Sequence, residues 1–79
     1  MIEVTVDGKL CSLKLTPFDC TGSIFVIKTK EEIKFISHKK EVNKMIVTNS
    51  YEKIKMTGKL FASNDELVLD VEKVEKVGK

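Results

Sequence analysis

Alternation of apolar and polar residues is the feature of this sequence that most limits its fold. The opening segment IEVTVDGKL and the closing segment ELVLDVEKVEKV both place apolar residues at about every second position. Successive side chains on a strand point to opposite faces, so this pattern predicts strands with one buried face. Five such segments are separated by short stretches rich in turn-forming residues. The sequence therefore predicts an all-β fold.

The five predicted strands form one long strand and two hairpins. The long strand is formed by IEVTVDGKL and continues through CSLKLT, with Asp7-Gly8 as a tight turn or as a bulge within one bent strand. SIFVIKT and IKFIS form the first hairpin, with Lys30 and Glu31 at its turn. YEKIKMTGKLFA and ELVLDVEKVEKV form the second hairpin around SND. Core positions are predicted for Ile24, Ile54, Met56, Leu67, Leu69 and Val71.

One segment, HKKEVNKMIVTN, breaks the alternation. Val42, Met45 and Ile46 have the i, i+3, i+4 spacing of one face of a helix. We therefore expect a short helix between the third and fourth strands, ended by Asn49-Ser50.

Length and composition exclude several classes of protein. With 79 residues the chain forms one domain, residues 1–79, in which 73–79 are expected to fray. No apolar run is long enough to span a membrane, so no membrane partner is expected. The N-terminus has neither a basic n-region nor an apolar h-region, which predicts no secretion signal and a cytoplasmic location.

The residue types that carry catalysis and metal binding are sparse. Cys11, Cys20 and the one histidine, His38, are too few for a zinc site, and no metal or other cofactor is expected. His38 has no nucleophile beside it in a recognisable motif, and no phosphate-binding glycine motif occurs. The sequence therefore predicts no catalytic residues and no enzyme activity.

Positive charge is concentrated in the middle of the chain. Residues 23–60 contain nine Lys against four acidic residues, a net charge of +5. Residues 1–22 have a net charge of −1 and residues 61–79 of −2, which gives the total of +2. Such an asymmetry favours a basic surface patch, and the alternative is that the lysines only solvate strand faces.

The order of elements resembles that of an OB-fold, a five-stranded Greek-key barrel with a helix between strands 3 and 4. DCTGSIFVI resembles the D-x-T-G-x-I entry to strand 2 in replication protein A-like and anticodon-binding OB domains. KIKMTGKLFASNDELVLDVEKVEKV resembles their closing hairpin. Asp19 would then accept backbone N–H bonds, and Thr21-Gly22 would turn the chain through a positive φ. An SH3-like or Sm-like barrel is the alternative, and the helix after strand 3 favours the OB-fold.

The resemblance implies a binding face on strands 2 and 3, flanked by the loops between strands 1–2 and 4–5. Single-strand binding needs cations for phosphates and flat side chains on which bases stack. Core packing is the favoured role for Phe35 and Phe61, although Phe61 can also stack. Phe18 can instead cap the barrel end. The candidate site residues are Phe18, Phe25, Lys28, Lys30, Lys34, Lys53 and Lys55.

Two functions remain open. The first is non-enzymatic binding of single-stranded DNA or RNA through the strand 2–3 face. The second is a protein-interaction or dimerisation module that serves as a small subunit of a larger complex. Surplus apolar residues on strands 2 and 3, namely Phe25, Ile27 and Ile36, favour a covered surface in either case.

Overall fold

The computed structural model describes residues 2–77. It contains five strands and one helix, α1, which lies between the third and fourth strands as predicted. The strands form a closed barrel in the order β1-β2-β3-β5-β4, and the all-β prediction is confirmed. This is an OB-like fold. The elements are β1 (Ile2–Leu15), β2 (Cys20–Val26), β3 (Glu31–Ser37), α1 (Lys40–Thr48), β4 (Ile54–Ser63) and β5 (Glu66–Lys76).

Four of the five strand pairs are antiparallel, and a short parallel pair closes the barrel. Residues 34–36 of β3 pair with residues 68–70 of β5 in that parallel ladder. The strand order places β2 and β3 between β1 and β5. All five strands therefore contribute to one continuous outer surface.

The first strand is one long strand, as one of its two predicted forms requires, but the bulge predicted at Asp7-Gly8 lies instead at Cys11. Gly8 is the residue at which β1 changes partner, because it pairs with Ile54 of β4 and with Val26 of β2. A Cβ added to Gly8 would lie 1.9 Å from the carbonyl oxygen of Phe25. The change of partner thus requires glycine for the close approach of two backbones. A bulge at Cys11 follows between Leu10 and Ser12.

The core lies inside the barrel and confirms most of the predicted inward positions. Ile24, Ile54, Met56, Leu69 and Val71 are buried, and Phe35 packs with them as expected. Leu67 is an exception, because it is 58% exposed. It pairs with the exposed Ala62 beside the β4–β5 turn, where the barrel no longer covers its side chain.

A bulge in β5 keeps the end of that strand in the barrel. Thr57 pairs with Lys73 and Gly58 with Val71, so Glu72 is an extra residue. The shift allows Val74 to join Val71 in the core. Residues 73–76 pair with β4, so this part of the segment that we expected to fray is ordered strand. Residues 78 and 79 lie outside the described part of the chain.

The helix packs through a narrower face than its sequence predicts. Val42 and Ile46 are buried, whereas Met45 is 39% exposed. The helix that the spacing of these three residues predicts is present, but only the i, i+4 pair Val42 and Ile46 is buried against the barrel. Asn49 ends the helix, as predicted, since its backbone N–H and its Nδ2 both donate to the Met45 carbonyl, at 3.1 and 2.9 Å.

The loop before β2 is held by a residue that the sequence did not single out. The Thr16 hydroxyl accepts the backbone N–H groups of Phe18 and Asp19, at 3.2 and 3.0 Å, and donates to the Asp19 carboxylate at 2.8 Å. The Thr16 hydroxyl, not the Asp19 carboxylate, therefore accepts these two N–H groups, and Asp19 accepts a backbone N–H only through its carbonyl oxygen, from Thr16 at 2.9 Å. The positive φ expected at Gly22 is also absent. Glycine is needed at position 22 because a Cβ added there would lie 2.1 Å from the Ser12 carbonyl oxygen.

Candidate functional site

One row of outward-facing residues crosses the barrel. Strand register pairs Ser12 with Ser23, Ser23 with Lys34, Lys34 with Val68, and Val68 with Phe61. The row takes one residue from each of the five strands and runs across them. It ends in an aromatic ring on β4 and a hydroxyl on β1.

A groove of about 480 Å³ follows this row, and we call it the strand groove. Its surface combines hydroxyls, apolar side chains and one charge of each sign. The groove includes the outer surface of β2 and β3, where the resemblance implies a binding face, and extends onto β1, β4 and β5. The groove is lined by Ser12, Thr21, Gly22, Ser23, Glu32, Lys34, Phe35, Ile36, Phe61, Ser63 and Val68.

Two hydrogen bonds join three polar side chains of the groove. The Ser23 hydroxyl donates to Glu32 Oε2 at 2.6 Å. The hydroxyls of Ser12 and Ser23 are 3.1 Å apart. Ser23 is buried whereas Ser12 and Glu32 are exposed, so these two hydrogen bonds connect the groove surface to a buried hydroxyl.

The cation of the groove is held by a surface carboxylate. Lys34 Nζ lies 2.8 Å from Glu66 Oε1, and the two side chains are 61% and 53% exposed. Exposed pairs of this kind contribute about 0–1 kcal/mol. Lys34 can therefore exchange Glu66 for another anion at little cost.

The predicted aromatic residues lie outside the groove lining. Phe25 lies on the outer face of β2, two residues beyond Ser23, and is 40% exposed. It pairs with Lys9 of β1 and Glu32 of β3, so it extends the outer face past the end of the groove. Phe18 is 84% exposed in the β1–β2 loop, which means that it does not cap the barrel end.

The predicted lysines are not gathered into one path. Lys34 alone of the five lines the strand groove. Lys28 and Lys55 line a different pocket that contains Asp7 and shares no residue with the groove. Lys30 is at the β2–β3 turn with a φ of 58°, and Lys53 directly precedes β4.

Of the two roles predicted for Phe61, core packing was favoured over stacking, and the core position is wrong. It is half-buried and lines the groove, opposite Val68. The alternation of β4 contains the signal, since Phe61 has the same parity as the outward Lys59 and the opposite parity to the buried Met56. Reading the parity along the whole strand would have placed Phe61 outside.

The groove also uses small polar residues that sequence reasoning missed. Thr21 and Ser23 alternate with the buried Cys20 and Ile24, and this polar face of β2 was visible in the sequence. Their position beside Ser12 was not visible in the sequence, because it depends on the register of β1 against β2, which the bulge at Cys11 sets.

Apolar residues predicted as surplus are exposed to different degrees. Phe25 and Ile27 are each 40% exposed, and Ile36 is half-buried within the strand groove. Ile27 lies in the β2–β3 turn rather than in a strand, and its N–H donates to the Asp7 carbonyl at 3.0 Å. These side chains are accessible in the monomer.

A second groove, of about 400 Å³, lies between α1 and the end of β1, and we call it the helix groove. It shares no residue with the strand groove. Its lining contains two cations and no carboxylate among the described residues. The lining residues are Leu15, Thr16, Pro17, Lys40, Asn43, Lys44, Val47 and Thr48.

Titratable and metal-ligating groups add little to either groove. Burial, and secondarily the nearby Asp19 carboxylate, raise the pKa of the Cys20 thiol, which keeps the thiol protonated in the core. Within residues 2–77 no group of three His, Cys, Asp or Glu side chains is placed to hold a metal ion. No helix in the same range is long and apolar enough to cross a bilayer.

Comparison with protein-family models and with curated proteins gives no match for this chain.

Proposed function

We propose that this protein binds single-stranded nucleic acid in the strand groove, without catalysing a reaction. The observation that carries the proposal is the row Ser12–Ser23–Lys34–Val68–Phe61, which crosses all five strands within one open groove. Two hydroxyls, a cation, an aliphatic side chain and an aromatic ring follow one another along a path that an extended strand can follow. The D-x-T-G-x-I resemblance to replication protein A-like and anticodon-binding OB domains supports the same reading.

Base stacking supplies the main attraction in this proposal. Phe61 offers a half-buried ring at one end of the groove, and Phe25 offers an exposed ring beyond the other side. Each base stacked on an aromatic side chain contributes about 1–3 kcal/mol. Two rings thus give moderate affinity, with little dependence on the stacked base.

Phosphates run along the margin of the groove rather than through its centre. Glu32 repels them from the floor, whereas Lys34 can leave its weak pair with Glu66 to meet them. Lys9 and Lys14 lie on β1 opposite Phe25 and Thr21, at the margin of the same face. With so few cations, we expect binding to weaken with salt less steeply than in strongly basic binders.

A fluorescence-anisotropy titration with a short labelled single strand at low salt tests the proposal. Phe61→Ala should weaken binding by about 5- to 150-fold, which is the stacking contribution expressed as a ratio of dissociation constants. Tyr51→Ala is the matched control, since Tyr51 is 96% exposed and does not line the strand groove. Saturable binding that Phe61→Ala weakens and Tyr51→Ala leaves unchanged supports the proposal. Absence of binding with protein in large excess overturns it.

A protein-interaction or dimerisation role is the second candidate. The observation that favours it is the 40% exposure of Phe25 and of Ile27. Sedimentation equilibrium of the wild type and of Phe25→Asp separates the two roles. A dimer that Phe25→Asp dissociates, combined with no oligonucleotide binding, would favour this second role.

A further inference from the structure

The helix groove has an apolar wall that the rest of the molecule leaves uncovered. Leu15 at the end of β1 is 57% exposed, Pro17 in the following loop is exposed, and Val47 of α1 is 40% exposed. All three line the same groove of about 400 Å³. Single apolar side chains on a surface are ordinary, whereas several that share one concave site indicate a binding surface.

Two cations lie on the helix side of the same groove. Lys40 and Lys44 are exposed, and both line it. They are four residues apart on α1, so their side chains lie on one face of the helix. Neither forms an ion pair with a described residue, whereas Lys34 of the strand groove is paired with Glu66. The helix groove thus presents two uncompensated positive charges beside apolar side chains.

The acidic residues nearest in sequence lie outside the helix groove. Glu41 follows Lys40 in the chain but does not line the groove. Asp19, in the loop after Pro17, accepts the Thr16 hydroxyl at 2.8 Å and is also outside the lining. An anionic ligand therefore meets no like charge among the described residues of the lining.

The helix groove lacks the feature that would favour a nucleic acid. Its described lining has no aromatic residue on which a base can stack. A phosphate group can meet the two lysines, but it has no apolar part to cover Leu15, Pro17 and Val47. A peptide segment that carries both carboxylates and an apolar side chain matches both parts of the groove.

We infer that the helix groove docks a segment of a partner protein in which carboxylates flank an apolar side chain. The apolar side chain packs against Leu15 and Val47, and the carboxylates meet Lys40 and Lys44. The inference does not depend on nucleic-acid binding, because the helix groove shares no residue with the strand groove. A partner bound here leaves the strand groove open.

A short labelled peptide with two leucines in a run of aspartates is the probe, and fluorescence anisotropy measures its binding. We expect saturable binding that weakens as salt rises, because exposed charges are screened. Two control peptides separate the contributions, one with asparagine in place of each aspartate and one with serine in place of each leucine. Each should bind at least about fivefold more weakly, because each lacks one of the two attractions.

Charge reversal in the helix groove tests the position of the site. Lys40→Glu/Lys44→Glu should weaken binding of the aspartate peptide about tenfold, because two attractions become repulsions. Lys59→Glu/Lys73→Glu is the matched control, since it changes the net charge equally and neither residue lines the helix groove. A peptide with lysine in place of aspartate should bind Lys40→Glu/Lys44→Glu more tightly than the wild type. Circular dichroism confirms that both variants are folded.

Binding that Lys40→Glu/Lys44→Glu weakens and Lys59→Glu/Lys73→Glu preserves supports the inference. Equal weakening by the two double variants overturns it, because the attraction would then follow net charge alone. Equal binding of the aspartate and asparagine peptides, or no binding of the aspartate peptide by the wild type, also overturns it. Failure of the wild type to bind oligonucleotides leaves it standing and overturns only the proposed function.

Two other occupants of the helix groove are distinguished by the same variant. The β4–β5 turn of a second copy carries Asp65 and Glu66 beside Leu67, which is 58% exposed. Self-association in sedimentation equilibrium that Lys40→Glu/Lys44→Glu abolishes would assign the groove to a second copy and overturn the inference. Loss of oligonucleotide binding in that variant would assign the groove to phosphates and overturn it as well.

Discussion

The strand groove and the helix groove have similar volumes, about 480 and 400 Å³, and both have hydroxyls and apolar side chains in their linings, but they differ in charge. The strand groove is lined by two aromatic residues, a carboxylate and one lysine that is already paired. The helix groove is lined by two lysines and no described carboxylate, and it has no aromatic residue among its described lining. Volume alone therefore does not indicate a ligand, and the lining groups decide what each groove can accept.

The two grooves also differ in how the fold supports them. The strand groove takes its lining from all five strands, so its shape is set by barrel register. The helix groove takes its lining from one helix, the end of β1 and the adjoining loop. We expect substitutions in the first to affect the fold, and substitutions in the second to affect mainly the surface.

The largest expected effect is the loss of protein stability when a residue of the strand groove is changed. Gly22→Ala places a Cβ 2.1 Å from the carbonyl oxygen of Ser12, a backbone atom that no rotamer change can move. We expect the free energy of unfolding in urea to fall by about 3 kcal/mol. Thr48→Ala in the helix groove should change it by less than about 0.5 kcal/mol. A Gly22→Ala protein as stable as the wild type would contradict the β1–β2 register.

The next largest expected effect is the difference in stability loss between substitutions at two adjacent helix residues, Ile46 and Val47. Ile46 is fully buried, and truncation to Ala should lower the free energy of unfolding by about 2 kcal/mol, the low end of the range for a buried isoleucine. Val47 lines the helix groove at 40% exposure, and Val47→Ala should cost less than about 1 kcal/mol. Equal losses at the two positions, measured by urea unfolding, would show that the helix groove is part of the core.

Lysine substitutions test whether nucleic acid avoids the helix groove. Lys34→Ala should weaken binding of a single strand about fivefold, through loss of a charge-assisted hydrogen bond worth about 1 kcal/mol in water. The double variant Lys40→Ala/Lys44→Ala removes two cations from the helix groove. At about 0.15 M salt it should change the affinity less than twofold, because exposed charges far from the ligand are screened. A larger loss in the double variant than in Lys34→Ala would mean that the strand crosses the helix.

The smallest expected effect concerns the surface ion pair. Glu66→Gln releases Lys34 and removes a negative charge from the groove margin, so single-strand affinity should rise about twofold. The free energy of unfolding should change by less than about 0.5 kcal/mol, because both side chains are largely exposed. Weaker binding in Glu66→Gln would show that Glu66 positions Lys34 rather than competing with its ligand.

Local patterns in the sequence were sufficient for much of the fold. Alternation identified the five strands, although β2 is Cys20–Val26 rather than the predicted SIFVIKT, and the spacing of Val42, Met45 and Ile46 placed the helix between β3 and β4. The exceptions, Met45 and Leu67, carry the right periodicity but lie where neighbouring elements do not cover them. Periodicity tells which residues share a face, whereas coverage depends on what packs against that face.

The candidate site was predictable only in part, because it depends on register between distant segments. The sequence by itself determined that Phe25 and Lys34 point outward, since strand periodicity is a local property. The tertiary structure alone decided that Ser12, Lys34 and Phe61 share one row. The Cys11 bulge and the parallel β3–β5 ladder set that alignment, and both arise from pairing between residues far apart in the chain.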